Sequence, residues 1–249
     1  MKLLKKLYDK NTLVFTIMFI VLYVVLMSLG DNLSEIVKIN KSITLIIGLC
    51  LSLVLLIFLK KNNLFKEYGL CKSTIDKKQV LFYIPCLIIL TTNLWFGVKI
   101  NFSFVETLIY ILTMLCVGFL EELIFRGFLF NTMKKDNLNA AIIVSSITFG
   151  IGHIVNLFNG SGVELFANIL QVIYATSAGF MFVMLYHKTD SLIVCILVHG
   201  VFNALSVFGV TSPSLELEIF SCVLLTFITG SYAVYLYKLK NKKVFNKED

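Results

Sequence analysis

The chain has 249 residues, 58% of them hydrophobic and 15% charged, with only two prolines and a formal net charge of +7. That balance excludes a water-soluble domain, and long apolar runs separated by short charged loops leave no room for a separate one. The lysines sit beside apolar runs rather than on a folded basic face, so they serve membrane topology, and nucleic acid is excluded as a partner.

In chain order, Lys2, Lys5, Lys6 and Lys10 precede an apolar run from Thr12 to Leu29. The charge order is that of a signal peptide, but the run is too long and lacks a small-residue cleavage site, so it is predicted to span the bilayer. Apolar segments of spanning length, roughly 17–25 residues, follow at 42–59, 80–98, 105–131, 138–156, 164–186, 191–209 and 215–237. The expected fold is therefore all-α: one polytopic transmembrane domain over 1–249, a bundle of about eight helices.

The first two spans hold mostly aliphatic residues and Phe, and are expected to be lipid-facing support without chemistry. The basic loop from Lys60 to Lys78 is expected to lie near anionic headgroups. Pro85 is expected to kink the third span, and Asn156, Asn159, Gly160 and Gly162 to form a polar loop after the fifth. In the sixth, Asn168, Gln171, Ala175, Ala178 and Gly179 form a small and polar stripe that should face other helices, with Ala175 and Gly179 as a small-xxx-small pair. Of the six cysteines, all but Cys71 fall in spans, none shows CxxC spacing, and they read as small apolar core residues.

Orientation follows from the lysines. With the N-terminus inside, 18 lie on cytoplasmic segments, while only Lys38, Lys41 and Lys99 lie outside. That bias predicts both termini in the cytoplasm, which requires an even number of spans.

Against this apolar background, Glu121, Glu122 and Arg126 stand within the fourth span. An ionised group at mid-bilayer costs about 2.5–3.5 kcal/mol on insertion scales, so such residues face a cavity or a partner. Glu122 and Arg126 are four apart on one helix face, whereas Glu121 is rotated by about 100° and left free to work. His153 in the fifth span has Phe149 one turn before it, and His199 in the seventh has Asn203 one turn after it; His187 reads as interfacial. Counted from the cytoplasmic ends, Glu121, His153 and His199 lie roughly 15, 24 and 14 Å into the membrane, with span ends placed to about 3–6 Å, which allows one shared site.

Glu-Glu-x-x-x-Arg, Phe-x-x-x-His and His-x-x-x-Asn in this order resemble the CPBP intramembrane proteases, the family of type II CAAX prenyl endopeptidases and of bacterial Abi and bacteriocin-immunity proteins. The likeness covers residues 100–210 as a catalytic core. It implies peptide-bond hydrolysis in the membrane on a membrane-associated peptide or protein. Glu121 would activate water, His153 would orient it, and His199 and Asn203 would stabilise the oxyanion, with Glu122, Arg126 and Phe149 as support. A metalloendopeptidase version would use Glu121, His153 and His199 as zinc ligands. The metal-free reading is preferred, because Asn203 serves better as an oxyanion donor than behind a metal. A non-catalytic immunity partner and a proton-coupled transporter are the other two readings, the latter weakened by the lack of an internal repeat. Lys-, Asn- and Ile-rich usage points to a low-GC bacterium and hence to its plasma membrane.

Overall fold

A computed structural model of the chain describes residues 1–73, 83–159 and 162–239. It begins with a short basic helix, α1 (Lys2–Lys10), whose Leu4, Leu7 and Tyr8 rest on the core. Asn11 breaks the helix in an extended conformation and then caps the next one, its side chain accepting from the Val14 amide at 3.0 Å. The chain continues as α2 (Thr12–Val37), α3 (Ser42–Lys61), α4 (Ile84–Leu94), α5 (Phe104–Met133), α6 (Leu138–Leu157), α7 (Leu165–Thr189), α8 (Leu192–Phe208) and α9 (Leu215–Lys238). Six of these are long and apolar enough to cross a membrane, while α4 and α8 are shorter. The chain is thus an all-helical, integral multi-pass membrane protein, and each of the eight predicted stretches has its helix.

The boundaries differ from the predicted ones where side chains cap or break. Ser103 and Glu106 form a reciprocal capping box that opens α5 just before the predicted start. The start of the predicted third span lies outside the described residues, and Pro85 stands in the first turn of α4, where its missing N–H costs nothing, rather than at a kink.

α5 is the centre of the bundle, touched by α2, α3, α6, α7 and α8. From Glu122 to Phe130 it winds as a π-helix, and all nine of these residues are buried. Such widened turns commonly mark functional positions. Ser145 of α6 clips this stretch, its hydroxyl donating to the Phe125 carbonyl at 2.8 Å.

The expectation that α2 is mere lipid-facing support is corrected. Phe15, Phe19, Tyr23 and Met27, spaced four apart, are all buried and pack into the core. The stripe on α7 does face other helices: a Cβ on Gly150 of α6 would strike Thr176, and one on Gly179 would lie 3.0 Å from the Cα of Ser146.

The tightest crossing joins α5 to α8. A Cβ at Gly118 would stand 2.6 Å from both the Cα and the N of Gly200, so the two backbones touch. Gly118→Ala is therefore expected to force the helices apart and to cost about 1–3 kcal/mol of stability. Thermal unfolding in detergent measures this, with Gly152→Ala as the control because its added Cβ meets nothing within 4 Å. Equal melting temperatures for the two variants would contradict the contact.

Candidate active site

The Gly118–Gly200 contact brings His199 against the start of the π-helical stretch. His199 Nδ1 donates to Glu122 Oε1 at 2.8 Å, and the same oxygen accepts from Arg126 Nη1 at 3.0 Å. The other ring nitrogen, Nε2, lies 3.4 Å from Glu121 Oε2. His199 thus links two carboxylates that sequence spacing had assigned to separate faces. Arg126 and His199 set donors against the two carboxylates, the pairing a water-poor interior requires.

Aromatic rings enclose this cluster. The Arg126 guanidinium carbon sits 3.9 Å from the Phe149 ring centre and 5.4 Å from that of Phe182, so its face meets π-electrons where hydrogen-bond acceptors are lacking. Phe182 stacks on His199 with ring centres 5.4 Å apart, and Phe149 meets the same imidazole edge-on. Arg126 and Glu122 are fully buried, while the Glu121 side chain keeps 13% of its surface exposed. That remaining exposure opens into a cavity of about 370 Å³.

Glu121, His153, His199 and Asn203 all line this cavity, as does Phe149. His153 stands where the regular winding of α6 ends and a tighter turn begins. Its Nδ1 lies 3.0 Å from the Phe149 carbonyl and, as the donor there, leaves Nε2 as an acceptor. Asn168 of α7 donates to the His153 carbonyl at 2.8 Å and fixes that turn. Asn203 lies at the cavity wall one turn beyond His199, its carbonyl accepting from the Ser206 hydroxyl at 2.6 Å. Glu122 and Arg126 are packed behind the cavity.

Sequence reasoning missed Tyr23. Its hydroxyl donates to Glu121 Oε1 at 2.7 Å, so the carboxylate is held on one oxygen by Tyr23 and faces His199 with the other. The signal was present: Tyr23 continues the spacing-of-four stripe of Phe15 and Phe19 and carries its one polar atom. Asn93 was missed as well; it braces the end of α8 by donating to the Phe202 carbonyl at 2.6 Å.

The zinc arrangement does not fit. Among the described residues, no group of three His, Cys, Asp or Glu side chains is placed to hold a metal ion. Glu121 and His199 adjoin, but His153 does not complete a triad with them.

Comparison with known families gives a match. Residues 103–205 fit the family model described as Type II CAAX prenyl endopeptidase Rce1-like, which is where the three motifs pointed. Comparisons with curated proteins and with solved structures gave no match. The matched segment runs from the Ser103 cap of α5 to Leu205, two residues beyond Asn203, and it leaves out Tyr23.

Proposed function

Taking residues 103–205 as a segment of the Rce1-like type II CAAX prenyl endopeptidase kind, we propose that the chain is an intramembrane endopeptidase, in a bacterial plasma membrane, that hydrolyses a peptide bond of a membrane-associated protein or peptide. The observation that carries this reading is the placement of His199 between Glu121 and Glu122 at the wall of a cavity that also holds His153 and Asn203.

Glu121 is the general base. It takes a proton from a water whose oxygen bonds to the carbonyl carbon, and His153, through its free Nε2, accepts the water's other hydrogen and orients it. The carbonyl oxygen gains negative charge and accepts hydrogen bonds from the Asn203 side-chain amide and from His199 Nε2–H. Glu122 holds His199 by Nδ1, so the nitrogen turned to the cavity is always Nε2. The proton then passes from Glu121 to the amide nitrogen as the C–N bond breaks, leaving a carboxylic acid, an amine and Glu121 ionised again. No step requires a metal.

The test is turnover of quenched membrane-peptide substrates by purified protein in detergent, comparing the unaltered chain with Glu121→Gln and adding a zinc chelator. Cleavage that survives the chelator and vanishes in the variant is expected. Cleavage abolished by the chelator and restored by zinc would replace the glutamate-base mechanism with a metal one. Equal cleavage by both forms would refute the assignment of Glu121.

Tyr23→Phe removes one hydroxyl and nothing else. A hydrogen bond to a charged group contributes about 1.5–3 kcal/mol, so kcat should fall by roughly 10–150-fold. Since the bond holds the base rather than the substrate, KM should not change. A raised KM at constant kcat would place Tyr23 against the substrate instead.

A further inference from the structure

The cavity reaches one end of the bundle. From α2 it takes Tyr23 through to Asp31, in the later half of that helix; from the start of α3 it takes Thr44, with Lys41 just before it; from the end of α6 and the turn after it, Phe149 through to Asn159. Because successive helices run in opposite directions, these segments belong to the same side of the molecule. Along α5 and α7 the lining residues farthest from that side are Phe125 and Phe182. Beyond them the protein is solid: Glu122–Phe130 is buried throughout, and so is α7 from Met181 to Tyr186. Under this floor the rings of Tyr8, Phe15, Phe58, Tyr68 and Phe128 pack together, Phe15 stacked on Phe58 and the other pairs edge to face, and close the side on which α1 lies.

The open side is the one that carries few lysines. Lys38, Lys41 and Lys99 belong to it, whereas the 12 others among the described residues belong to the closed side with α1. Positive charge is retained in the cytoplasm. We infer that the cavity opens to the extracytoplasmic face, so that Glu121 is approached from outside the cell.

At the rim, Asp31 accepts from Lys41 Nζ at 2.8 Å, from the Thr44 hydroxyl at 2.7 Å and from Asn159 Nδ2 at 3.3 Å. Inside the rim the wall turns apolar, with Met27, Met114 and Val117 before Glu121. The chemistry that fits is an exported peptide, or the outer end of a membrane span, whose apolar residues enter while a polar flank stays at the rim. A tail on the cytoplasmic surface meets only the packed floor. The substrate class rests on the peptidase reading above, whereas the sidedness of the cavity does not.

The experiment separates the two. Ser28→Cys and Val155→Cys place thiols in the cavity wall, and Lys6→Cys places one on α1. Intact cells expressing each variant are treated with a charged, membrane-impermeant maleimide, and labelling is compared with that of the unaltered chain, whose six cysteines set the background. Both cavity thiols should react as fully in intact as in permeabilised cells, and the α1 thiol only after permeabilisation. Labelling of the cavity thiols only after permeabilisation, or in neither condition, would overturn the inference. Two positions guard against one variant misfolding. If the cavity labels from outside while the folded, unaltered chain cleaves no peptide in detergent, the peptidase reading falls and the sidedness stands.

Discussion

Glu121→Gln is expected to lower kcat by roughly 10²–10⁴-fold, the usual contribution of a general base, without lowering the melting temperature. Gln keeps the length and shape of the side chain, and its amide oxygen still accepts from the Tyr23 hydroxyl, which stands 2.7 Å away in the unaltered protein. What it loses is the ability to take a proton from water. The partly exposed position of Glu121 makes the change mild for folding, because no buried ion is left alone. Turnover by peptide cleavage and thermal unfolding of the same preparation decide the matter. A residual rate within a few-fold of the unaltered chain would remove Glu121 from the mechanism, and a collapse in melting temperature would make its role structural.

Arg126→Met is expected to produce the opposite pattern. Arg126 and Glu122 are both fully buried and pair at 3.0 Å, so removing the cation leaves a buried carboxylate with His199 as its only ion-pair partner among the described residues. Breaking such a pair from one side costs about 3–5 kcal/mol. Met fills much of the space and keeps an apolar contact with Phe149 and Phe182, so the loss is electrostatic rather than a cavity. Adding Glu122→Gln to Arg126→Met removes the stranded charge and should restore part of the melting temperature. A single variant as stable as the unaltered chain, or a double variant less stable than the single one, would contradict this account.

The helices were legible because the bilayer imposes their length and polarity on the sequence; each predicted apolar stretch has a helix within it. The motif residues were legible because ionisable groups among Leu, Ile and Phe have few reasons to be there. Their mutual arrangement was less so. Spacing along one helix relates Glu122 to Arg126, but the approach of His199 to both glutamates depends on a contact between Gly118 and Gly200 on different helices, and a glycine does not announce its partner. The π-helical winding from Glu122 onward is set by neighbours on every side, and hydrophobic periodicity over so uniformly apolar a segment does not reveal it. Tyr23 was overlooked because α2 is mostly aliphatic residues and Phe, with only scattered hydroxyls, so composition alone made it look inert.

The touching backbones of Gly118 and Gly200 also give the molecule a pivot. Membranes differ in thickness, and helices answer by tilting. If α5 tilts by about 10° about that point, Met133, about 22 Å along its axis, swings by about 4 Å, while Glu122, about 6 Å away, shifts by about 1 Å. His199 adjoins the pivot on the other arm. The pair therefore sits near the fulcrum of a lever, where changes in lipid that displace the ends of the helices are felt least.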